Sequence, residues 1–417
     1  MLAGGKGNRI RGAYPNIPKT LIPIAGKPIL QRQIEILKKE GVESFLLVVG
    51  YLSDQIIDYF GDGSRFGVKI SYFVEEKAMG TGGALLEVAL PERFLLCNGD
   101  LVFDFSLEKM LSFHLKKDAL ITLFAHASSH PFDSTVMVCD KQDRVTSFSR
   151  FEDDAHFSNL TNAGVCIVEK RALTGVENKQ ELSFDEDVVK PLLISGRVFA
   201  YKSTEYVKDA GTPQRLAEVC ADVSAGIPEQ CRADSARKAV FLDRDGTVNV
   251  HRGYVSNPEE LELLLGAAEA INAFHALGYL VILVTNQPVV ARGLCTIEDL
   301  EQIHRHLVYL LAKKGAYLDD IFYCPHHPDS GFKGENKAYK IDCDCRKPKP
   351  GLILKAAKKY NIDLSQSFMV GDSERDMQTA LNAGCRPILL STVKQGGVPC
   401  FESLKDFAAF LTGGKDD

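Results

Sequence analysis

The segment Val240-Phe-Leu-Asp-Arg-Asp-Gly-Thr-Val constrains this chain most: an apolar run that ends abruptly in two carboxylates one residue apart. An apolar run of this kind reads as a strand buried on both faces, as in a parallel sheet. At the carboxyl end of such a strand, a turn brings Asp243 and Asp245 into the crevice where ligands bind in open α/β sheets. Further apolar runs at Tyr279-Leu-Val-Ile-Leu-Val and Ser367-Phe-Met-Val alternate with helical patterns, so residues 237–417 read as a doubly wound parallel α/β domain. The amino-terminal part alternates in the same way. Short β-rich runs at 45–49, 94–97 and 120–124 flank helical stretches such as 29–40, predicting a Rossmann-like domain with a mixed, mainly parallel sheet over residues 1–222. The small, polar, Pro- and Gly-containing stretch 223–236 reads as a linker. A chain of 417 residues suits two such domains.

Composition narrows the function classes. A net charge of −6 supplies no basic field for nucleic acid, and no apolar run is long enough to cross a bilayer. With no basic n-region and apolar h-region at its start, the chain reads as cytoplasmic. Eleven cysteines, an odd number, make a poor disulfide framework, and most lie in apolar stretches as small buried hydrophobes. The exceptions are Cys324-Pro-His-His-Pro and Cys343-Asp-Cys-Arg-Lys. Three thiols and an imidazole in two close pairs suit tetrahedral Zn²⁺, with Cys324, His326, Cys343 and Cys345 as ligands and His327 as the alternative imidazole. With no position open for water, such a zinc would be structural.

In the amino-terminal half, Leu2-Ala-Gly-Gly-Lys-Gly-Asn-Arg places Gly4, Gly5 and Gly7 where consecutive N–H groups can approach an anion, with Arg9 and Lys19 adding positive charge. It is followed by Pro18-Lys-Thr-Leu-Ile-Pro, Met79-Gly-Thr-Gly-Gly-Ala, Asn98-Gly-Asp, Asn162-Ala-Gly-Val and Asp209-Ala-Gly-Thr-Pro. In this order the segments resemble the sugar-1-phosphate nucleotidyltransferases over residues 1–220. The resemblance implies that the glycine loop and Arg9 hold a nucleoside triphosphate and that Lys19 neutralises its α-phosphate. Gly80, Gly82 and Gly83 would lie against base and ribose, and Asp100 and Asp209 would hold Mg²⁺. Asn162 and Glu186 would face the sugar, Glu186 being otherwise a solvated helix residue. Members of that family place a buried strand before the glycine loop, whereas here only Met1 precedes Leu2, and they carry threonine where this chain has Asn8. The natural chain is therefore expected to begin several apolar residues earlier, and a form starting at Met1 to be a poor transferase.

In the carboxyl-terminal half, the ordered set Asp243-Arg-Asp-Gly-Thr, Thr285, Lys347 and Gly371-Asp-Ser-Glu-Arg-Asp resembles the haloacid-dehalogenase-type phosphatases over residues 238–392. This implies Asp243 as nucleophile, Asp245 as general acid and base, Thr285 and Lys347 on the phosphoryl oxygens, and Mg²⁺ held by Asp243, Asp372 and the Asp245 carbonyl. Asp376 would support that shell or simply favour a helix N-terminus. The cysteine loop and the absence of room for a large cap resemble the D-glycero-D-manno-heptose 1,7-bisphosphate and histidinol-phosphate phosphatases. Asn286 would then touch substrate, and Arg292 and Arg346 would take the distal phosphate or form surface ion pairs. The implied chemistry is removal of the 7-phosphate from a heptose bisphosphate, then nucleotidyl transfer, from GTP, to the heptose 1-phosphate. A mannose-type guanylyltransferase fused to another sugar or histidinol-phosphate phosphatase, or a catalytically dead sensor domain, are the alternatives. The partners are small molecules, with oligomeric state left open.

Overall fold

The computed structural model describes residues 1–128, 136–149, 159–331, 333–393 and 397–413. The chain separates into two compact units, one formed by Met1–His126, Met137–Phe148 and Thr161–Arg232, the other containing the chain from Ala233 onwards. Both are α/β. Among the described residues, no helix is long and apolar enough to cross a membrane.

The second unit is built on six parallel strands. In spatial order they are Asp320–Cys324, Leu280–Asn286, Ala239–Leu242, Phe368–Gly371, Arg386–Leu390 and Cys400–Phe401, which is 3-2-1-4-5-6 in chain order. Period-two alternation splits the first strand between two cores. Val240 and Leu242 join Val281, Leu283 and Val370 under the helices Ala267–Ala276, Ile297–Ala312 and Leu404–Leu411. Ala239 and Phe241 join Ile282, Val284 and Met369 under Gly351–Tyr360 and Glu374–Ala383. Helices on both faces explain why the strand reads as continuously apolar. Strand order reverses between Ala239–Leu242 and Phe368–Gly371, and at such a switch point the diverging loops open a crevice at the strands' carboxyl ends. Asp243 and Asp372 both follow these strands. The described residues contain no inserted cap domain.

The first unit has a six-stranded mixed sheet in which Val198–Lys202 runs parallel to Ile121–Ala127 and Leu160–Glu169 antiparallel to Arg93–Cys97. Beside it lie the parallel pair Ser44–Val49 and Lys69–Val74 and the antiparallel pair Leu101–Asp104 and Tyr206–Asp209. Met1–Ala3 lie where a central strand is expected. Leu2 bridges Asn98 on one side and Val48 on the other, with Leu2 N–H donating to Cys97 O at 2.8 Å and Ala3 N–H to Val48 O at 2.7 Å. Three residues thus seat the start of the glycine loop between two strand ends.

The stretch 223–236 is more ordered than a linker reading implies. Helix Pro213–Ser224 reaches into it, Ile227–Gln230 forms another helical turn, and Arg232 pairs with Glu40 and Asp104, each at 2.8 Å.

Candidate functional site

In the second unit, Lys347 is 3% exposed and its ammonium lies 2.9 Å from Asp243 Oδ1 and 2.5 Å from Asp376 Oδ1. Burial alone would lower the Lys347 pKa, but the two carboxylates outweigh it and hold it above the usual value. Burial pushes Asp243 up to about 6, with Asp376 repulsion adding and the Lys347 ion pair opposing. Asp372 is raised as well, first by desolvation and then by Asp376. Ligand oxygens of Asp243, Asp372 and Asp376 all lie within 4.8 Å of one another. Asp372 stands directly over Gly246, where a Cβ would fall 1.9 Å from its Oδ2, so only glycine fits that turn. Asp376 caps its helix and meets Lys347. As the third residue of helix Glu374–Ala383 it accepts from Ser373 N–H at 3.2 Å and Oγ–H at 2.5 Å, and its other oxygen takes Lys347.

Thr285, 1% exposed, is the penultimate residue of the strand Leu280–Asn286 and accepts from Gln287 Nε2 at 3.0 Å. The next residue is engaged by a distant main chain. Asn286 spends both amide atoms on the main chain of Lys347: Lys347 N–H donates to its Oδ1 at 2.9 Å, and its Nδ2 donates to Lys347 O at 3.1 Å. It holds the lysine's backbone in place. The Arg292 guanidinium lies 4.6 Å over the Tyr254 ring, and Arg346 Nη1 donates to His326 O at 3.0 Å, with burial lowering the Arg346 pKa.

Cys324, His326, Cys343 and Cys345 converge, their ligand atoms within 4.8 Å of one another. The sulfur separations are 3.1–3.5 Å, and His326 Nδ1 lies 3.4 Å from Cys345 Sγ. Hydrogen bonding from Cys324 pulls the Cys345 thiol down to about 5, and the same contact pushes Cys324 up. His327 turns away, accepting from Asp329 N–H at 3.2 Å. Among the described residues, this cluster and the three carboxylates are the groups of three or more such side chains close enough to share an ion.

In the first unit, Gly211 marks a convergence of charge. A Cβ there would fall 2.7 Å from Asp209 Oδ1, 3.1 Å from Lys19 Nζ and 3.4 Å from Arg9 Nη2. Lys19 pairs with Asp100, and Arg215 Nη1 pairs with Asp209 at 2.9 Å. The antiparallel register sets Asp209 opposite Leu101, the residue that follows Asp100. Gly4 and Gly5 follow the Leu2 bridge, and Gly7 turns the chain, its carbonyl accepting from Ile10 N–H at 3.0 Å. Gly80, Gly82 and Gly83 have a packing reason to be glycine. Cβ atoms there would fall 2.4 Å from Leu182 O, 2.1 Å from the Leu182 side chain and 2.4 Å from Met79 O.

Ser183-Phe-Asp-Glu-Asp carries two adjacent acids, Asp185 and Glu186. Both are exposed: Glu186 is bound to Lys190 at 2.6 Å, and Asp185 accepts from Asn162 Nδ2 at 3.3 Å, desolvation raising its pKa. Sequence reasoning also passed over Glu75, whose Oε2 lies 2.6 Å from the Gly4 Cβ position, and Arg215. An acid just after the β-rich run Lys69–Val74 was the available signal for Glu75.

A family profile described as nucleotidyl transferase matches residues 1–226, and one described as HAD-hydrolase-like matches residues 344–397. The D-glycero-beta-D-manno-heptose-1,7-bisphosphate 7-phosphatase of Pasteurella multocida (strain Pm70) is 42% identical over 186 residues, covering 42% of this chain and 98% of that one. The crystal structure of D,D-heptose 1,7-bisphosphate phosphatase from B. bronchiseptica, complexed with magnesium and phosphate, shares 36% identity, covering 43% of this chain and 99% of its own at a TM-score of 0.37. That of HddC from Yersinia pseudotuberculosis shares 25%, covering 53% and 97% at a TM-score of 0.47. The chain therefore belongs to the nucleotidyl transferase family through its first half and to the family of the heptose-bisphosphate 7-phosphatases through its second.

Proposed function

We propose that the chain is a bifunctional enzyme of heptose-nucleotide synthesis. Its second unit removes the 7-phosphate of D-glycero-D-manno-heptose 1,7-bisphosphate, and its first joins the resulting 1-phosphate to GMP taken from GTP, releasing pyrophosphate. The observation that carries this reading is the sequence of charges Asp243–Lys347–Asp376, with Asp372 alongside, at the switch point of a parallel sheet.

In the phosphatase, Asp243 attacks phosphorus and Lys347 and Thr285 bind the phosphoryl oxygens. Asp245 donates a proton to the leaving alkoxide and then takes one from the water that hydrolyses the aspartyl-phosphate. Three carboxylates cluster where one ammonium pairs with two of them, an excess of negative charge that suits a divalent cation. Asp243 and Asp372, with the Asp245 carbonyl, offer the hard oxygen ligands of Mg²⁺, which when bound screens nucleophile from phosphate. The Cys324, His326, Cys343 and Cys345 set contains no carboxylate and no spare position, the donor chemistry of a structural Zn²⁺. It fixes the loop that delivers Arg346 and Lys347.

In the transferase, Arg9 and Lys19 meet the triphosphate at the mouth of the glycine loop. Asp100 and Asp209 supply oxygen ligands for Mg²⁺. An arriving triphosphate offers Lys19 and Arg215 new anionic partners and so releases both carboxylates. Asn162 and Asp185 face the sugar. Glu75 supports guanine, because a carboxylate pairs with the two adjacent donors on that base's edge. It accepts from Met79 N–H at 3.2 Å, and desolvation raises its pKa. Glu75→Gln is expected to narrow the preference for GTP over ATP by about tenfold, read as pyrophosphate release with each nucleotide.

The test is a paired assay on the full chain with Mg²⁺: phosphate released from heptose 1,7-bisphosphate, and pyrophosphate released from GTP with heptose 1-phosphate. Lys19→Met should slow pyrophosphate release about 10³-fold and leave phosphate release unchanged. If the wild-type chain releases no pyrophosphate with any sugar 1-phosphate, the first unit is a sensor and the transferase reading falls.

A further inference from the structure

Asp245 is gripped from three sides by groups that the phosphatase mechanism does not use. Its Oδ1 accepts from Arg244 Nη2 and Asn249 Nδ2, each at 3.0 Å, and its Oδ2 from Gln287 Nε2 at 2.9 Å. Arg244 Nε lies 3.2 Å from both oxygens. All three partners are buried: Arg244 and Asn249 fully, Gln287 at 2% exposure. Withdrawing a guanidinium completely from water is costly unless an anion meets it, and the anion meeting Arg244 is Asp245. Asn249 is itself fixed, because its carbonyl accepts from Gly246 N–H at 2.7 Å and so closes the turn that carries both aspartates. Gln287 arrives from the neighbouring strand end. Its Nε2 reaches Asp245 and also Thr285 Oγ1 at 3.0 Å, so one amide touches both the acid–base group and the hydroxyl that meets phosphate.

We propose that Arg244, Asn249 and Gln287 form a positioning frame that sets the Asp245 carboxyl against the leaving-group oxygen, with Gln287 registering it to the phosphate site. The inference rests on the aspartyl-phosphate reading above. In the first step a bond forms between Asp243 Oδ and phosphorus, the bond from phosphorus to the sugar oxygen breaks, and that oxygen takes the electron pair and the Asp245 proton. In the second step water oxygen bonds to phosphorus, the bond to Asp243 Oδ breaks, and Asp245 takes the water's proton as phosphate leaves. Both transfers need an Asp245 oxygen at hydrogen-bond reach of one point in space, so a carboxylate free to rotate is a poor catalyst. An amide suits both states: it donates to the carboxylate and, turned over, accepts from the acid.

Asn249→Ala and Gln287→Ala, in the full chain with Mg²⁺, separate this frame from a merely structural role. With heptose 1,7-bisphosphate, whose alkoxide needs a proton to depart, kcat should fall about 100-fold with KM within about threefold. With p-nitrophenyl phosphate, whose phenolate departs unaided, each variant should release one nitrophenolate per chain in a burst near the wild-type rate and then turn over slowly as the phosphoryl-enzyme waits for its water. Parallel loss on both substrates without a burst, or no loss on either, would overturn the frame. Asp243→Asn serves as the control for the parent reading: if it still turns over p-nitrophenyl phosphate, the aspartyl-phosphate reading itself fails.

Discussion

Asp243→Asn should abolish phosphate release from the sugar bisphosphate, by at least ~10⁴-fold or about 5.5 kcal/mol of barrier, while pyrophosphate release from GTP stays at the wild-type rate. The amide cannot attack phosphorus, and Lys347 keeps its second partner, Asp376, at 2.5 Å. The buried ammonium is therefore not stranded, and the fold should survive. Breaking a buried ion pair outright costs about 3–5 kcal/mol, but here one carboxylate of two remains. Intact fold with lost phosphatase and retained transferase is the expected pattern. Joint loss of both activities with normal thermal unfolding would mean that the two reactions share a site.

The second large effect concerns the cysteine cluster. Metal analysis of the purified chain should find about one zinc per chain, and Cys343→Ser should lose it. Cys343 and Cys345 pack against the core under helix Gly351–Tyr360, so the cluster staples a long connection onto a face of the sheet. Structural zinc sites contribute folding free energy directly. Losing several kcal/mol should lower the unfolding transition of the second unit by roughly 10 °C or more and leave that of the first in place. Phosphatase activity should fall with it, because Lys347 lies two residues beyond Cys345. A chain without zinc that unfolds at the wild-type temperature would remove the metal from this account.

The phosphatase constellation was legible because its residues follow apolar strands or short loops whose ends the parallel topology brings together. Asp243, Thr285 and Asp372 each lie at or just beyond such a strand, and a run of apolar residues betrays each strand locally. Cys324, His326, Cys343 and Cys345 were legible by their donor chemistry in two close pairs. What the sequence concealed was direction over one or two residues. Asp185 and Glu186 are adjacent acids, and which one faces Asn162 depends on where the helical turn after Ser183 begins. The bond of Asn286 to the Lys347 main chain was hidden because that partner is distant in sequence and carries no side-chain signal. Gly80 and Gly82 looked like a nucleotide loop alone, since their contact with Leu182 is visible only once the segments meet. Arg232 was hidden inside a stretch whose composition suggests a tether, although it closes on Glu40 and Asp104.

The 3-2-1-4-5-6 order of the second sheet also sets a calendar for the molecule. Asp243 emerges from the ribosome with the first strand of that sheet, whereas Lys347 and Asp372 arrive only with the connection to the fourth strand and its end. Until then the nascent chain carries the proposed nucleophile with neither its ammonium nor its companion carboxylate. The proposed phosphatase chemistry is thus completed late in synthesis, and a product terminated before the fourth strand would lack it while keeping the whole of the first unit.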